Sequence, residues 1–166
     1  FLVVAGGVGE DYSRTAKGSL KRLLALPRDN LDRMKRLVRE LDLERHFVFS
    51  GFRMDIAEVI TALDLLVFPS VIPEGFGRPL IEAMAMGCPI VATDLGPTLE
   101  VVGDHSAVLV RPGDVQELAE GLVEVLKDRK KAKRLGDNGR RRFCEQFEMK
   151  SMQFKLQRVY EQVLNR

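Results

Sequence analysis

Cysteine and histidine are scarce in this chain, with two of each in 166 residues. Cys88 and Cys144 lie far apart in apolar or helical surroundings, which removes support for a disulfide framework or a zinc site and makes a reducing cytoplasm the natural compartment. His46 and His105 stand apart from one another and from any acid-rich cluster, so each reads as a loop or strand-edge residue rather than a catalytic base. No D-x-D occurs, and no internal repeat or low-complexity segment. No apolar run approaches the roughly 18 residues of a membrane helix, so the chain is not expected to span a bilayer. The net charge of +2 demands neither nucleic acid nor an acidic surface. The chain opens on the apolar run Phe1-Leu2-Val3-Val4-Ala5-Gly6, without an initiating Met, a charged n-region or a cleavage site, and reads as a fragment of a longer protein rather than as a signal peptide.

What is present is a soluble globular composition, 45% hydrophobic and 30% charged, in a chain long enough for one domain with a core. Strand-like runs at about residues 1–5, 46–50, 64–69, 89–93 and 107–110 alternate with helical spacing, which implies a parallel sheet covered by helices on both faces. Leu31, Met34, Leu37, Val38 and Leu41 keep the three-and-four spacing of a buried helical face behind Asp29 or Asn30. Ile56, Val59, Ile60 and Leu63 repeat it behind Asp55. Asp114 and Glu117 have capping-box spacing, and Val115, Leu118, Leu122, Val125 and Leu126 follow as a stripe. All three stripes are expected in the core. Residues 9–30 read either as a short helix around Leu20, Leu23 and Leu24 ended by Pro27, or as a mobile loop. From Asp128 the pattern is helical, ending in an amphipathic helix that carries Met152, Leu156, Val159, Tyr160 and Val163.

Two features invite a function that their surroundings do not support. Gly6-Gly7-Val8-Gly9 follows a strand, but the spacing is wrong for a dinucleotide fingerprint and Glu10-Asp11 would repel phosphates. Lys127, Arg129, Lys130, Lys131, Lys133, Arg134, Arg140, Arg141 and Arg142 make the C-terminal third basic, a face that could make peripheral contact with anionic lipid. The interspersed Asp128, Asp137 and Glu145 favour a solvated helix exterior instead, and no aromatic interleaving supports nucleic acid.

Pro73-Glu74-Gly75-Phe76-Gly77-Arg78-Pro79-Leu80-Ile81-Glu82 places two carboxylates eight positions apart across a glycine-flanked turn. Pro79 is suited to the first helical position, so a helix is expected to start there. Its free amide donors, those of Arg78, Leu80 and Ile81, together with the positive end of the helix dipole, favour a phosphate. Glu82, one turn in, is a good acceptor for the paired hydroxyls of a ribose, and Glu74 can meet hydroxyls of a second sugar ring. The plain alternative is a first-turn acid stabilising its own helix beside an ordinary strand-to-helix loop.

Residues 73–94, from Pro73 to Asp94, resemble the E-x7-E segment of the retaining GT-B glycosyltransferases called family 4, or glycosyl transferases group 1. Gly96 to Val102 resembles that family's glycine-to-glutamate segment, Val108 to Asp114 its strand-to-helix piece, and Phe47 to Phe52 the strand and glycine ahead of its base-binding loop. The resemblance implies a Rossmann-like doubly wound parallel α/β sheet, the C-terminal half of a GT-B fold, with 1–166 a single nucleotide-sugar-binding domain and 143–166 its C-terminal helical segment. It implies a nucleotide-diphosphate-sugar donor, no metal and no other cofactor, and an acceptor held by an N-terminal domain outside this chain. Carried over by position, Glu74 is the catalytic acid contacting the transferred sugar, with Gly75, Phe76 and Gly77 approaching that sugar. Arg78, Leu80 and Ile81 meet the diphosphate, Glu82 the ribose, and Gly51, Phe52 and Arg53 the base. The family carries an Arg and a Lys-Gly pair, which neutralise the diphosphate, in a strand and loop ahead of the segment that here begins at Phe1, and Lys17-Gly18 lies after the matching strand. The chain alone is therefore expected to bind donor weakly and to transfer nothing. The competing expectations are a catalytically silent nucleotide-sugar-binding or regulatory module, or a GT-B-type epimerase. A phosphorylase would need a pyridoxal-bearing lysine that is not identifiable.

Overall fold

The computed structural model describes residues 2–5, 30–73 and 75–164, the first four and Asn30 by backbone alone. The expectation of a helix or loop over 9–30 lies almost wholly outside the described residues, as do the Gly6 to Gly9 turn and Lys17-Gly18. The chain forms two compact units, Phe1–Ile56 and Ala57–Arg166.

In the first unit, β1 (Leu2–Ala5) pairs in parallel with β2 (Phe47–Gly51), Leu2 opposite Phe47, with a shift in register that sets Ala5 opposite Gly51. Between them in sequence come helix α1 (Asn30–Glu40) and a 3-10 turn at Glu44–His46, after which the chain turns directly into β2. Helix α2 (Ile56–Thr61) opens at the boundary of the units.

The second unit holds three parallel strands in the order β3 (Leu66–Phe68), β4 (Ile90–Thr93), β5 (Val108–Val110). Helix α3 (Arg78–Met86) connects β3 to β4, and α4 (Gly96–Val102) connects β4 to β5. The last strand is followed by α5 (Val115–Lys127), α6 (Arg129–Gln146) and α7 (Met149–Leu164). Parallel pairs separated by helical crossovers are what the alternating sequence pattern implies. Every residue of β4 is buried, as a central parallel strand requires, and its run Ile-Val-Ala-Thr is apolar but for the last position.

Two layers of core flank β4. Val91, Val110, Val125 and Leu135 pack with Leu65, Val108, Leu118, Leu122 and Ala132, joining the sheet to α5 and α6. Leu80, Ala83 and Met84, the buried face of α3, are wholly shielded, as are Ile90, Ala92 and Val102. Helix α6 approaches the end of α3 backbone to backbone: a Cβ on Gly136 would lie 2.2 Å from the carbonyl oxygen of Gly87, and one on Gly139 would lie 3.2 Å from Met84 Cγ. Only glycine permits that approach.

The expected stripes are less buried than their spacing implied. In α1 only Val38 is buried, while Met34, Leu37 and Leu41 are exposed. In α5 Val125 is buried and Leu118 and Leu122 are half-buried, but Val115 and Leu126 are exposed. The C-terminal segment is helical as expected, and its apolar residues Met152, Leu156, Val159, Tyr160 and Val163 are all exposed. Periodicity registers which residues share a face, whereas burial needs a partner surface. Among the described residues no helix is long and apolar enough to cross a membrane.

Candidate functional site

The glycine-bounded turn lies between β3 and α3, and its two ends are fixed by buried groups. The hydroxyl of Thr93, 3% exposed at the end of β4, donates to the carbonyl of Ser70 at 2.5 Å, tying the chain that leaves β3 to the central strand. At the other end Leu80 is fully buried and anchors the first turn of α3. Gly77 takes φ 60° and ψ 50° immediately before the helix, and a Cβ there would lie 2.9 Å from Leu80 Cδ1. Glycine satisfies both the left-handed conformation and the contact.

The helix start differs by one residue from the expectation at Pro79. Arg78 is its first residue and Pro79 its second. The Leu80 amide differs more consequentially. It donates to Gly77 O at 2.9 Å, closing a tight first turn, so it is already engaged rather than open to an anion. Arg78 and Glu82, expected on different parts of a ligand, face each other: Arg78 Nη2 lies 3.3 Å from Glu82 Oε1 in an i,i+4 pair. The Arg78 side chain is 82% exposed, so the pair is worth only a few tenths of a kcal/mol and yields readily to a competing anion. Gly75 and Phe76 are exposed, and the Phe76 ring meets Phe147 edge-on with centroids 6.2 Å apart. Ile81 is half-buried. Glu74 lies outside the described residues.

The residues expected at the base lie in the first unit. Gly51 ends β2 with φ 66°, Phe52 is exposed, and Arg53 forks onto Asp55, with Nε 2.7 Å from Oδ1 and Nη2 paired with Oδ2. The hydrogen bond from Arg53 holds the Asp55 carboxyl below its ordinary range. Arg53 therefore reaches a ligand only by leaving Asp55 or by stacking its plane on the ligand while still paired.

Three contributors escaped sequence reasoning. Thr93 reads as a strand residue, and its donation to Ser70 is visible only once β3 and β4 are adjacent. Arg140 and Arg142 sit in the basic stretch assigned to a solvated exterior, yet they brace α6 against its neighbours. Arg140 Nη1 donates to Ala85 O at 2.6 Å, and Arg142 donates to Val101 O and Glu100 O, each at 2.7 Å. Lys131 pairs with Glu124, and Lys133 with Asp137 at 2.6 Å. At Asp114 the expected capping box is half made. The carboxylate accepts from the Glu117 amide at 2.9 Å, but Glu117 turns to Arg111, whose amide and Nε both donate to it. Among the described residues no three His, Cys, Asp or Glu side chains gather to form a candidate metal site.

A parallel α/β unit that presents a glycine-bounded turn and a helix start beyond the carboxyl end of β3 belongs to the Rossmann-like class of ligand-binding domains. The particular family follows from the sequence. Residues 1–142 match the family of glycosyl transferases group 1, and the chain belongs to it. A mannosyltransferase of Mycolicibacterium hassiacum, MMP alpha-(1->4)-mannosyltransferase, is 41% identical over 68% of this chain and 28% of its own length. N-acetyl-alpha-D-glucosaminyl L-malate synthase of Bacillus anthracis is 32% identical over 77% of this chain and 34% of its own. Among solved structures, Anabaena HepE in complex with UDP superposes with a TM-score of 0.80 at 25% identity, over 96% of this chain and 40% of that one. The same protein has been solved with UDP-glucose. The chain thus spans about a third of the length of the curated relatives it matches. The neighbours are GT-B glycosyltransferases, and the fold is the Rossmann-like α/β half expected from the sequence.

Proposed function

We propose that this chain binds the donor in a retaining, hexosyl-transferring glycosyltransferase, which moves a sugar from a nucleotide diphosphate to an acceptor held by another part of the protein. The observation that carries the reading is the head of α3, where an exposed arginine and a half-buried glutamate flank a helix start behind the Gly75–Gly77 turn. The reading is supported by family membership and by the UDP and UDP-glucose found with the Anabaena neighbour.

In this reading Arg78 exchanges its weak pair with Glu82 for the diphosphate. The helix dipole and the Arg78 and Ile81 amides add to that attraction, while Leu80 contributes as the buried anchor of the turn. Glu82, released, accepts from the ribose hydroxyls. Glu74 and the backbone of Gly75, Phe76 and Gly77 contact the transferred sugar, and Gly51, Phe52 and Arg53 line the base. The charge that develops on the departing diphosphate is met by positioned cations and amides, without a metal being assigned to the step. As the bond from the anomeric carbon to the diphosphate oxygen breaks, that oxygen takes the acceptor's proton, and the acceptor oxygen bonds to the same face of the sugar. The enzyme works in the cytoplasm.

A thermal-shift panel of UDP, GDP and ADP sugars tests this, because a ligand that binds only the folded state raises Tm in proportion to its occupancy. At least one member should stabilise the protein. Glu82→Ala should weaken that member by roughly tenfold or more, the loss of a hydrogen bond to a charged group. A panel without any shift, or an unchanged affinity in Glu82→Ala, refutes the assignment.

A further inference from the structure

We infer that Phe147 is a positioning residue for the sugar-contacting turn, acting through the ring of Phe76; the inference rests on the donor reading given above. Phe147 occupies the corner between α6 and α7, and that corner is closed by several bonds. Its amide donates to Phe143 O at 2.8 Å and the Glu148 amide to the same oxygen at 3.0 Å, while the Ser151 hydroxyl donates back to Cys144 O at 2.9 Å. Helix α6 below the corner is held to α3 by the Gly136 approach and by Arg140 on Ala85 O. The backbone that carries Phe147 is therefore fixed with respect to the body of α3.

The middle of the turn it meets is open, between ends held at Ser70 and Leu80. A Cβ on Gly75 would find nothing within 4 Å, and Phe76 is 56% exposed. The edge-on contact of Phe76 with Phe147, at 76° between ring planes, holds the middle of a glycine-flanked segment against a rigid corner. The geometry selects one conformation of the Gly75–Gly77 backbone before ligand arrives, and backbone amides aimed at a sugar work best when prearranged. The contact bears on the sugar and not on the nucleotide, because Phe76 precedes the helix start while Arg78 and Glu82 lie within it.

The test compares wild type, Phe147→Ala and Phe147→Tyr by hydrogen exchange and by affinity for whichever nucleotide sugar of the panel binds, alongside its parent nucleotide diphosphate. Phe147→Ala should speed exchange of the peptide covering 75–80 while β4 stays protected. It should also weaken the nucleotide sugar by about two- to tenfold relative to the diphosphate, the range an edge-to-face aromatic pair supports. Phe147→Tyr, which keeps the ring, should restore both. Unchanged exchange over 75–80, or equal loss for sugar nucleotide and diphosphate, overturns the inference. If wild type binds no nucleotide sugar the donor reading fails, and the exchange result still decides whether Phe147 orders the turn.

Discussion

Cys88 shows how a single residue ties packing to pH. It follows the C-terminal glycine of α3, is 6% exposed, and burial pushes its thiol from about 9 up to about 11. The folded state therefore resists ionisation that the unfolded state allows, so the stability associated with the neutral thiol is complete below pH 9 and is lost as pH rises through about 11. Between these limits wild-type Tm should fall more steeply than that of Cys88→Ala, and at pH 8 a maleimide should leave Cys88 unlabelled until the protein is denatured. Parallel pH profiles for the two proteins would contradict the assignment. At the same scale Thr93 exchanges solvent for the Ser70 carbonyl at the end of the central strand, and the turn that opens α3 begins from that fixed point.

Between elements, α6 is the brace. Its glycine face lets it lie against the end of α3, and its arginines reach the carbonyls that end α3 and α4. Gly136→Ala places a methyl group well inside van der Waals contact distance of a backbone oxygen that cannot rotate away, so it should destabilise by about 1–3 kcal/mol or more. The urea midpoint measures this, and a neutral result would mean that α6 lies farther from α3 in solution. Arg142→Ala leaves the Glu100 and Val101 carbonyls without their donor at the negative end of α4 and should cost about 1–3 kcal/mol by the same measurement. Arg142→Lys should recover only part of that loss, because one ammonium cannot reproduce the planar fork that serves two oxygens.

In the molecule as a whole, the second unit is organised around β4, with the glycine-bounded turn between β3 and α3 and with α7 contributing no buried residue. Ending the chain after Glu148 should therefore cost the remainder less than about 1 kcal/mol, a Tm shift under about 4 °C by calorimetry. A larger loss would show that the apolar side of α7 is packed in solution. The parallel strands, their helical crossovers and the glycine-bounded turn were legible in the sequence because each rests on local chemistry: apolar runs of strand length, a proline at a helix start, glycines where the backbone must turn. Asp114 as a cap was legible for the same reason, its carboxylate lying three residues from the amide it serves. The degree of burial along α1, α5 and α7 was not, since spacing defines a face without supplying what covers it. The engagement of the Leu80 amide, the pairing of Arg78 with Glu82, and the work of Thr93, Phe147, Arg140 and Arg142 depend on which elements come to lie side by side. By itself, then, the sequence determined the fold class and the glycine-bounded turn that leads into α3, because those follow from periods and turns a few residues long. Tertiary structure alone decided which side chains hold that segment in place, because those contacts join residues that only the packing of α3, α6 and the sheet brings within bonding distance.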